Sequence, residues 1–396
     1  MPTAEPIDET DLFSDAVRCD PYPHYRRLRR DAPLYRSPRL DAWVVTSHRD
    51  ATVVLTHPAV RHWAGNADDD GFTRTVGRWM SMLDPRQQRR MRRLVGPIFT
   101  PRAIAGLRAE LYALADRLLD DAAPSGGLDV VTGYAEPIAL AGIARIIGVP
   151  AAQAPAFHAT APSLTGSLLA AIQTDGTATG DKAEPAGIEL LSDLLAERGD
   201  PPSDSLLAVL RQLDRDGELR DQTEALAFLL LFLFAGHENM MNFIGNATYA
   251  LVDAPDRLAE LRRTSSLDAS AVDELLRFDS PVQFMTVSLA DAVTLRDQRI
   301  PVGETILVGI GAANRDEDRF PNPDRLDFTR QDRGHLTFGQ GPFACIGAAL
   351  ARLEGEVALG ALVRRMSRPA IRGPLRLRRD PPVLRGFVSL DLAFDA

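Results

Sequence analysis

Residues 338–347 read Phe-Gly-Gln-Gly-Pro-Phe-Ala-Cys-Ile-Gly. The two glycines and the proline predict a tight turn in which the backbone is exposed to a neighbouring group. We predict that Cys345 sits at the start of a helix, because the residues from Cys345 to about Met366 have helical spacing. Unpaired N–H groups and the dipole at a helix N-terminus favour a thiolate. A cysteine thiolate is one of the few axial ligands that proteins use for haem.

Two other readings of this stretch stay open from the residues alone. An isolated cysteine beside a glycine-rich turn is more often a buried structural residue than a ligand. A dinucleotide-binding loop is less well supported, because Gly339-x-Gly341 lacks a third glycine at the required spacing and no strand clearly precedes it.

Composition narrows the classes of protein to be considered. The net charge of −9 argues against a general nucleic-acid binder. The two cysteines, Cys19 and Cys345, are too few for a disulfide framework or an all-cysteine zinc site. The first residues contain no apolar segment, and the run from Ala225 to Gly236 is shorter than the roughly 20 residues that a membrane span needs. We therefore expect a soluble, cytoplasmic protein with neither nucleic acid nor membrane as a partner.

The pattern along the chain predicts a mainly α fold with small β elements, an α+β class. Helical spacing covers 221–252 as one long helix and 269–278 as a shorter one. Short β patterns follow at 282–289, 292–295, 299–301 and 304–310. No low-complexity linker interrupts the chain, so we expect residues 1–396 to form a single domain.

The cysteine loop resembles the haem-binding loop of the cytochrome P-450 family, whose usual form is F-G-x-G-x-H-x-C-x-G. The next residues, 348–354, resemble the family's helix after the cysteine, and further family motifs follow in the expected order over nearly the whole chain. The resemblance implies a cytochrome P-450 fold with the long helix over haem b and Cys345 as the axial ligand of its iron. The loop residues expected to contact the cofactor are Phe338, Gly339, Phe343 and Gly347.

Glu274 and Arg277 are three residues apart and share one face of the predicted helix 269–278. Taken alone, this spacing is explained by a surface ion pair worth about 0–1 kcal/mol. Beside the cysteine loop, the two residues resemble the family's E-x-x-R pair, which locks to an arginine in a later proline-rich segment. Arg325 stands at the matching position. The resemblance implies a structural role for all three residues around the haem loop.

Residues 84–92 resemble the family's helix along one edge of the haem. Arg92 matches an arginine that holds a haem propionate through charge-assisted hydrogen bonds, and His335 is expected to add a contact. The chain departs from the family at three positions, where two histidines and an arginine are replaced by Gln88, Phe343 and Val287. Each change removes a polar contact to a propionate, although Gln88 remains a predicted cofactor neighbour.

The same helix is strongly basic, with arginines at 86, 89, 90 and 93 besides Arg92. A solvated helix face would account for this composition. On a net-acidic protein, however, a local basic cluster favours a docking patch for an acidic electron donor, since complementary charge speeds encounter.

The segment Ala235-Gly236-His237-Glu238-Asn239 lies midway along the long helix. Gly236 is unfavourable inside a helix, which indicates close approach of another group or a local distortion. A zinc-protease motif is excluded because Met241 stands where a second histidine is needed, and a charged pair at the end of a buried helix is the remaining alternative. By resemblance, Ala235 lies beside the haem, and Glu238 and Asn239 are the catalytic residues. The family usually has threonine after the acid, and an amide can hold water but has no hydroxyl to relay a proton.

By resemblance, the substrate pocket is lined by the 60–83 loop, the region near 160–195, the middle of the long helix, residues 282–287 and the turn near Phe387. Plain core packing is the alternative for each candidate. Their composition predicts an apolar pocket that accepts aromatic groups. The candidates are Trp63, Trp79, Leu83, Leu233, Gln283, Phe284, Met285, Phe387 and Val388.

These resemblances imply a monooxygenase-type haem-thiolate oxidoreductase that activates dioxygen and oxidises a small organic substrate, in secondary metabolism. The reaction would be hydroxylation, or oxidative C–C or C–N coupling or cyclisation of an aromatic peptide-like compound. The absent alcohol at Asn239 favours coupling. Electrons would come from a ferredoxin or flavodoxin with its reductase, since the chain has no flavin or iron–sulfur motif.

Two alternatives remain for the function. A non-catalytic relative could serve as an accessory to a partner enzyme, although such a helper would not need Cys345. A peroxygenase would use hydrogen peroxide and need no redox partner.

Overall fold

The computed structural model describes residues 12–58, 60–62, 79, 85–173, 185–197, 199–264, 267–377 and 383–395. Within these ranges the helices are α1 (Asp15–Cys19), α2 (Tyr22–Asp31), α3 (His48–Thr56), α4 (Pro85–Val95), α5 (Pro101–Ala105), α6 (Arg108–Ala122), α7 (Glu136–Ile147), α8 (Ala154–Gln173), α9 (Pro185–Ala196), α10 (Leu206–Arg215), α11 (Gln222–Asp253), α12 (Pro255–Thr264), α13 (Ala269–Phe278), α14 (Ile310–Ala313) and α15 (Ala348–Arg365). The strands are β1 (Leu34–Ser37), β2 (Ala42–Val45), β3 (Val60–His62), β4 (Gly127–Asp129), β5 (Phe284–Leu289), β6 (Val293–Leu295), β7 (Gln298–Ile300), β8 (Thr305–Gly309), β9 (Ser367–Ile371), β10 (Arg376–Leu377), β11 (Phe387–Ser389) and β12 (Asp391–Asp395). The predicted mainly helical fold with small sheets is confirmed.

The long predicted helix is present as α11. By length and apolar composition it could cross a membrane, but 72% of its most apolar window is buried inside the protein. The core helix of a soluble protein passes the same test, so its composition is explained by burial within the fold.

The chain forms two compact units, each assembled from segments that are distant in the sequence. The first comprises residues 1–63, 245–345 and 374–389. Its five-stranded sheet has the order β1-β2-β8-β5-β3, in which only β2 and β8 run parallel. Side chains alternate between the two faces of the sheet. Ile306 and Val308 pack with α3 on one face, whereas Phe284 and Leu307 pack with α2 on the other.

The second unit comprises residues 64–244, 346–373 and 390–396. It is mostly helical, with α6 and α7 packed against α15, the helix that follows the cysteine loop. Its small antiparallel sheet has the order β4-β12-β9.

A buried carboxyl group lies where α15 packs on α7. Glu354 is 1% exposed, and neither of its carboxylate oxygens has a hydrogen-bond partner among the described residues. A methyl group added at Gly142 of α7 would overlap Glu354 Oε1, so the glycine makes room for the carboxyl. Burial raises the pKa of Glu354 well above its ordinary value, because a charged carboxylate is poorly solvated in the interior.

We expect the raised pKa of Glu354 to make stability depend on pH. The folded protein retains a proton that the unfolded chain releases. The contribution of this proton to the free energy of unfolding is therefore fully present below the pKa of the unfolded chain, roughly 4.3. It falls by about 1.4 kcal/mol per pH unit as the pH rises towards the pKa of the folded protein. Glu354→Gln removes this dependence, so thermal unfolding of variant and wild type should diverge increasingly from pH 5 to pH 8. Glu110→Gln, at an exposed position on α6, controls for the lost charge. Parallel stability curves would contradict the expectation.

Candidate functional site

The cysteine loop presents its thiol at the surface of the protein chain. Cys345 is exposed, and its backbone N–H donates to the carbonyl of Phe338 over 2.7 Å. Gly339 and Gly341 both have positive φ, 64° and 66°, a conformation that favours glycine. At Gly341 a Cβ would also lie 3.0 Å from the carbonyl oxygen of Leu55, so glycine is required there on two grounds.

The predicted start of the helix at Cys345 is wrong by three residues. Gly341–Phe343 form one 3₁₀ turn, and α15 begins at Ala348 with Gly347 as its N-cap residue. Cys345 therefore lies in irregular backbone just before the helix. Residues 346–347 form a turn that separates Cys345 from the helix.

Asn314 joins this loop to the rest of the first unit. Its side-chain oxygen accepts from the N–H of Leu336 over 2.6 Å, and its Nδ2 donates to Thr337 Oγ1 over 2.9 Å. The Thr337 hydroxyl in turn donates to the carbonyl of Leu276 on α13 over 2.9 Å. The segment that leads into Phe338 is thereby fixed to both α13 and the end of α14.

Arg277 makes the central hydrogen bonds of a buried polar network that supports the cysteine loop. It is 1% exposed and donates from Nε and Nη2 to the two carboxylate oxygens of Glu274 at 2.7 and 2.8 Å. Its Nη1 donates to the carbonyls of Asn314 and Pro323 at 2.9 and 2.8 Å. A buried guanidinium with these acceptors is well satisfied. Arg277 therefore holds the same Asn314 that anchors the cysteine loop.

The structure corrects the assignment of Arg325. Its side chain is exposed, and only its carbonyl meets Arg277, at 3.3 Å. The second guanidinium at Glu274 belongs to Arg330, whose Nε lies 3.2 Å from Glu274 Oε2 and whose side chain is 8% exposed. The turn from Pro323 to Arg330 directs the Arg325 side chain outward, a conformation that spacing alone does not predict.

His335 is buried in the first unit. Its Nε2 lies 3.3 Å from Asp273 Oδ1, and its ring centroid lies 5.6 Å from that of Phe338. Its Nδ1 has no partner among the described residues. A buried ring nitrogen without a partner fits a polar group absent from the protein chain, such as a propionate.

The predicted cofactor residues of the second unit lie on α4. Gln88 is 2% exposed, whereas Arg92 is half-buried. Of the basic residues on this helix, Arg86, Arg89 and Arg93 are exposed. Arg90 is half-buried and pairs with Glu218 over 2.5 Å, which partly neutralises the predicted basic patch. Of the loop residues, Phe338, Gly339 and Gly347 are half-buried, and the Phe343 side chain lies outside the described part.

The middle of α11 has one open face on an otherwise buried helix. Ala235 is exposed, although Leu233, His237 and Glu238 around it are at most 3% exposed. Asn239, one turn later, is half-buried and donates from Nδ2 to the Ala235 carbonyl over 3.3 Å. An exposed methyl group in a buried helix leaves a flat apolar face clear, which fits a planar ligand.

Close packing on the neighbouring face explains Gly236. A Cβ there would lie 2.9 Å from Ile143 Cδ1 on α7. His237, which sequence reasoning used only to exclude a zinc motif, is 1% exposed. Its Nδ1 lies 2.9 Å from Thr165 Oγ1 on α8, and its Nε2 lies 3.4 Å from Glu136 Oε1 on α7. His237 thus links α11 to α8 through Thr165, whereas its Nε2 has no hydrogen-bond partner among the described residues. A histidine within an apolar run was the available signal.

Several predicted pocket residues are core side chains, which corrects their assignment. Phe284 is 3% exposed, with its ring 5.7 Å from that of Tyr25, because strand alternation directs it to the α2 side of the sheet. Phe387 is 1% exposed against Tyr249. Gln283 is 3% exposed and donates to the Ser280 carbonyl over 2.7 Å.

The other pocket candidates differ in exposure. Met285 is half-buried against the core of the first unit, and Val388 is 45% exposed. In the second unit Leu233 and Trp79 are buried, with Trp79 5.4 Å from the ring of Phe234. Trp63 and Leu83 lie outside the described residues.

Each unit, taken by itself, carries groups of a kind that fit a haem. The first unit offers an exposed thiol on a rigid loop and the free Nδ1 of buried His335. The second offers the open apolar face at Ala235 and the half-buried Arg92. Thiolate, propionate partners and a flat apolar surface are the three kinds of contact that this cofactor needs.

Comparisons with known proteins identify relatives that match nearly the whole chain. The family model of cytochrome P450 matches residues 267–372. The chain is 36% identical over 406 residues to cytochrome P450 107B1 of Saccharopolyspora erythraea, covering 98% of this chain and 96% of that protein. It is also 36% identical to vitamin D(3) 25-hydroxylase of Pseudonocardia autotrophica, covering 91% and 90%. The crystal structure of CalO2 matches with a TM-score of 0.84 and 29% identity, covering 97% and 98%. The chain therefore belongs to the cytochrome P450 family, whose members are haem-thiolate oxidoreductases.

Proposed function

We propose that this protein is a soluble, cytoplasmic monooxygenase that binds haem b through the thiolate of Cys345 and oxidises a small organic molecule. The exposed thiol on a loop anchored through Asn314 and Arg277 carries this proposal. In this proposal residues 1–396 act as one functional domain.

When bound, the haem supplies the activation of dioxygen for the oxidation of the substrate. The protein's own residues hold it and manage protons. Arg92 and His335 would donate hydrogen bonds to propionates, and Ala235 would keep the cofactor face clear. Glu238, which is 3% exposed, would act as the proton source, and Asn239 would hold water beside it.

For the substrate we propose a compound of secondary metabolism. The names of the relatives include a vitamin D(3) hydroxylase, which supports hydroxylation. The amide at Asn239, whose Nδ2 is engaged by the Ala235 carbonyl, supports oxidative coupling or cyclisation of an aromatic peptide-like compound instead, because proton delivery through a side-chain hydroxyl is absent at this position.

For the electron supply we propose a ferredoxin or flavodoxin with its reductase. The exposed guanidinium groups of Arg86, Arg89 and Arg93 on α4 form a basic surface that complements an acidic donor. Rim charges of this kind chiefly affect the association rate and its dependence on salt.

The absorption spectrum of the purified protein tests the proposal. We expect a red protein that shows, when reduced under carbon monoxide, the red-shifted Soret band diagnostic of thiolate ligation. A colourless protein that haem cannot reconstitute would contradict it and favour the non-catalytic accessory role. Substrate oxidation with hydrogen peroxide but not with NADH and redox partners would contradict the monooxygenase proposal and favour the peroxygenase.

A further inference from the structure

A buried histidine lies between three helices of the second unit, on the side of α11 that faces away from Ala235. His237 follows Ala235 by two residues, which turns its side chain by about 200° around the helix. His237 is 1% exposed, and Thr165 of α8 is 0% exposed. The His237 Nδ1 lies 2.9 Å from Thr165 Oγ1, and the Nε2 lies 3.4 Å from Glu136 Oε1 at the start of α7. Groups from α8 and α7 therefore lie against the two ring nitrogens.

The hydrogen bonds of Thr165 decide which ring nitrogen carries the proton. The Thr165 hydroxyl has one hydrogen and donates it to the carbonyl of Pro162 over 3.0 Å, so its oxygen accepts from His237 Nδ1–H. In a neutral imidazole the Nε2 is then a bare acceptor. It has no hydrogen-bond partner among the described residues, and the atom nearest to it on α7 is a carboxylate oxygen. Two acceptors thus face each other without a hydrogen between them.

A proton on Nε2 turns this opposition into a bond. An imidazolium has an N–H on both nitrogens, so Nε2 donates to Glu136 in a charge-assisted hydrogen bond. In the described part of the chain Glu136 is the only acid within 4.0 Å of the ring nitrogens, and its side chain is 20% exposed, so water keeps it charged. On α8 the facing group is the neutral Thr165, and on α11 the next acid, Glu238, lies about 100° around the helix. Histidine ordinarily changes charge roughly between pH 5 and pH 8.

We propose that His237 is a proton-operated latch, in which uptake of a proton links α7 to α11 and α8 and release of the proton separates them. The link to Glu136 is present at low pH and is lost as the pH rises through the titration range of histidine, because the linked state alone holds the extra proton. The ring lies behind the open face at Ala235, so the latch sets how freely α8 and α11 move apart to admit a ligand. This effect on entry rests on the proposed function, in which the middle of α11 and the region near 160–195 line the pocket.

Nitrogen NMR of the reduced, carbon monoxide-bound holoenzyme with isotope-labelled histidine tests the protonation directly. The chemical shift distinguishes a bare ring nitrogen from an N–H, and His237→Gln identifies the signals of His237. We expect Nε2 to be bare at pH 8 and protonated at pH 5.5, with Nδ1–H present at both values. In Glu136→Gln the amide donates to the bare Nε2, so the ring should stay neutral at both values. An Nε2–H already present at pH 8 in the wild type would overturn the latch.

The rate at which carbon monoxide associates with the reduced protein measures the effect on entry, because this ligand is neutral at every pH. We expect the wild-type rate to be about fivefold higher at pH 8 than at pH 5.5, part of what a hydrogen bond to a charged group can contribute. Glu136→Gln should be slow at both values, and Thr165→Val, which removes the bond to α8, should be fast at both. The control is His158→Gln, at an exposed histidine of α8, which should keep the wild-type dependence.

A wild-type rate that does not change with pH, or the same change in Glu136→Gln, would overturn the role of the latch in entry. These results differ from failure of the proposed function itself. The carbon monoxide band reports thiolate ligation whether or not the rate of association depends on pH.

Discussion

Cys345→Ala should abolish both the carbon monoxide band of thiolate ligation and turnover with NADH and redox partners. Alanine supplies no ligand, and no other residue of the loop offers a thiolate. The loop itself should keep its shape, because Cys345 N–H donates to the Phe338 carbonyl and Leu336 N–H donates to Asn314 Oδ1, and neither bond uses the Cys345 side chain. With an exposed side chain, the change in apoprotein stability should stay within about 0.5 kcal/mol.

Absorption spectra, turnover and thermal unfolding of the apoprotein measure these three effects. Cys19→Ala, the matching change at the other exposed cysteine, should leave all of them as in the wild type. Survival of the band or of turnover in Cys345→Ala would show that another group ligates the iron.

Arg277→Ala should lower the free energy of unfolding by about 3–5 kcal/mol, the usual result of breaking a buried ion pair by removing one partner. Glu274 is 5% exposed and would lose both hydrogen bonds from Arg277. The carbonyl of Asn314 would lose its donor as well, so the cysteine loop should be displaced and haem content should fall. Lysine would not rescue the loss, since one ammonium group cannot make the bidentate contact.

Chemical denaturation and haem content per chain measure this effect. Arg325→Ala is the informative control, because its guanidinium is exposed and lies outside the network. We expect it to change stability by no more than about 0.5 kcal/mol. Equal losses in the two variants would show that Arg325, rather than Arg330, completes the pair.

Features set by local pattern could be predicted from the sequence. The bounds of α11 and α13 follow from apolar spacing, and the need for glycine at 339 and 341 follows from the turn. Hydrogen-bond and ion-pair partners that are distant in the sequence could not be predicted, because they depend on the path that the connecting loops take. Arg330 at Glu274 and Thr165 at His237 are examples.

The pocket assignments show the same limit. The β pattern at 282–289 predicts a strand, but which face each side chain takes depends on what covers the sheet. Phe284 is directed to α2 and Val287 to the opposite core. Similarly, the Nδ1 of buried His335, which has no partner among the described residues, is visible only once the surrounding residues are in place.

The approach of Gly341 to the Leu55 carbonyl has a consequence for how the protein can diverge. The two nearest contacts to Gly341 are main-chain atoms at the end of α3, the Leu55 carbonyl oxygen and Thr56 Cα, and the Thr56 Cγ2 methyl group lies further away at 3.5 Å. The apolar side chains of α3 are therefore free to vary as long as they fill the core, whereas His48 and Asp50 also hydrogen-bond to other segments. A single-residue insertion or deletion near Leu55, by contrast, would move the Leu55 carbonyl that Gly341 packs against and would displace the Cys345 sulfur atom. Natural variation in this helix should consist of exchanges of residue type at constant length.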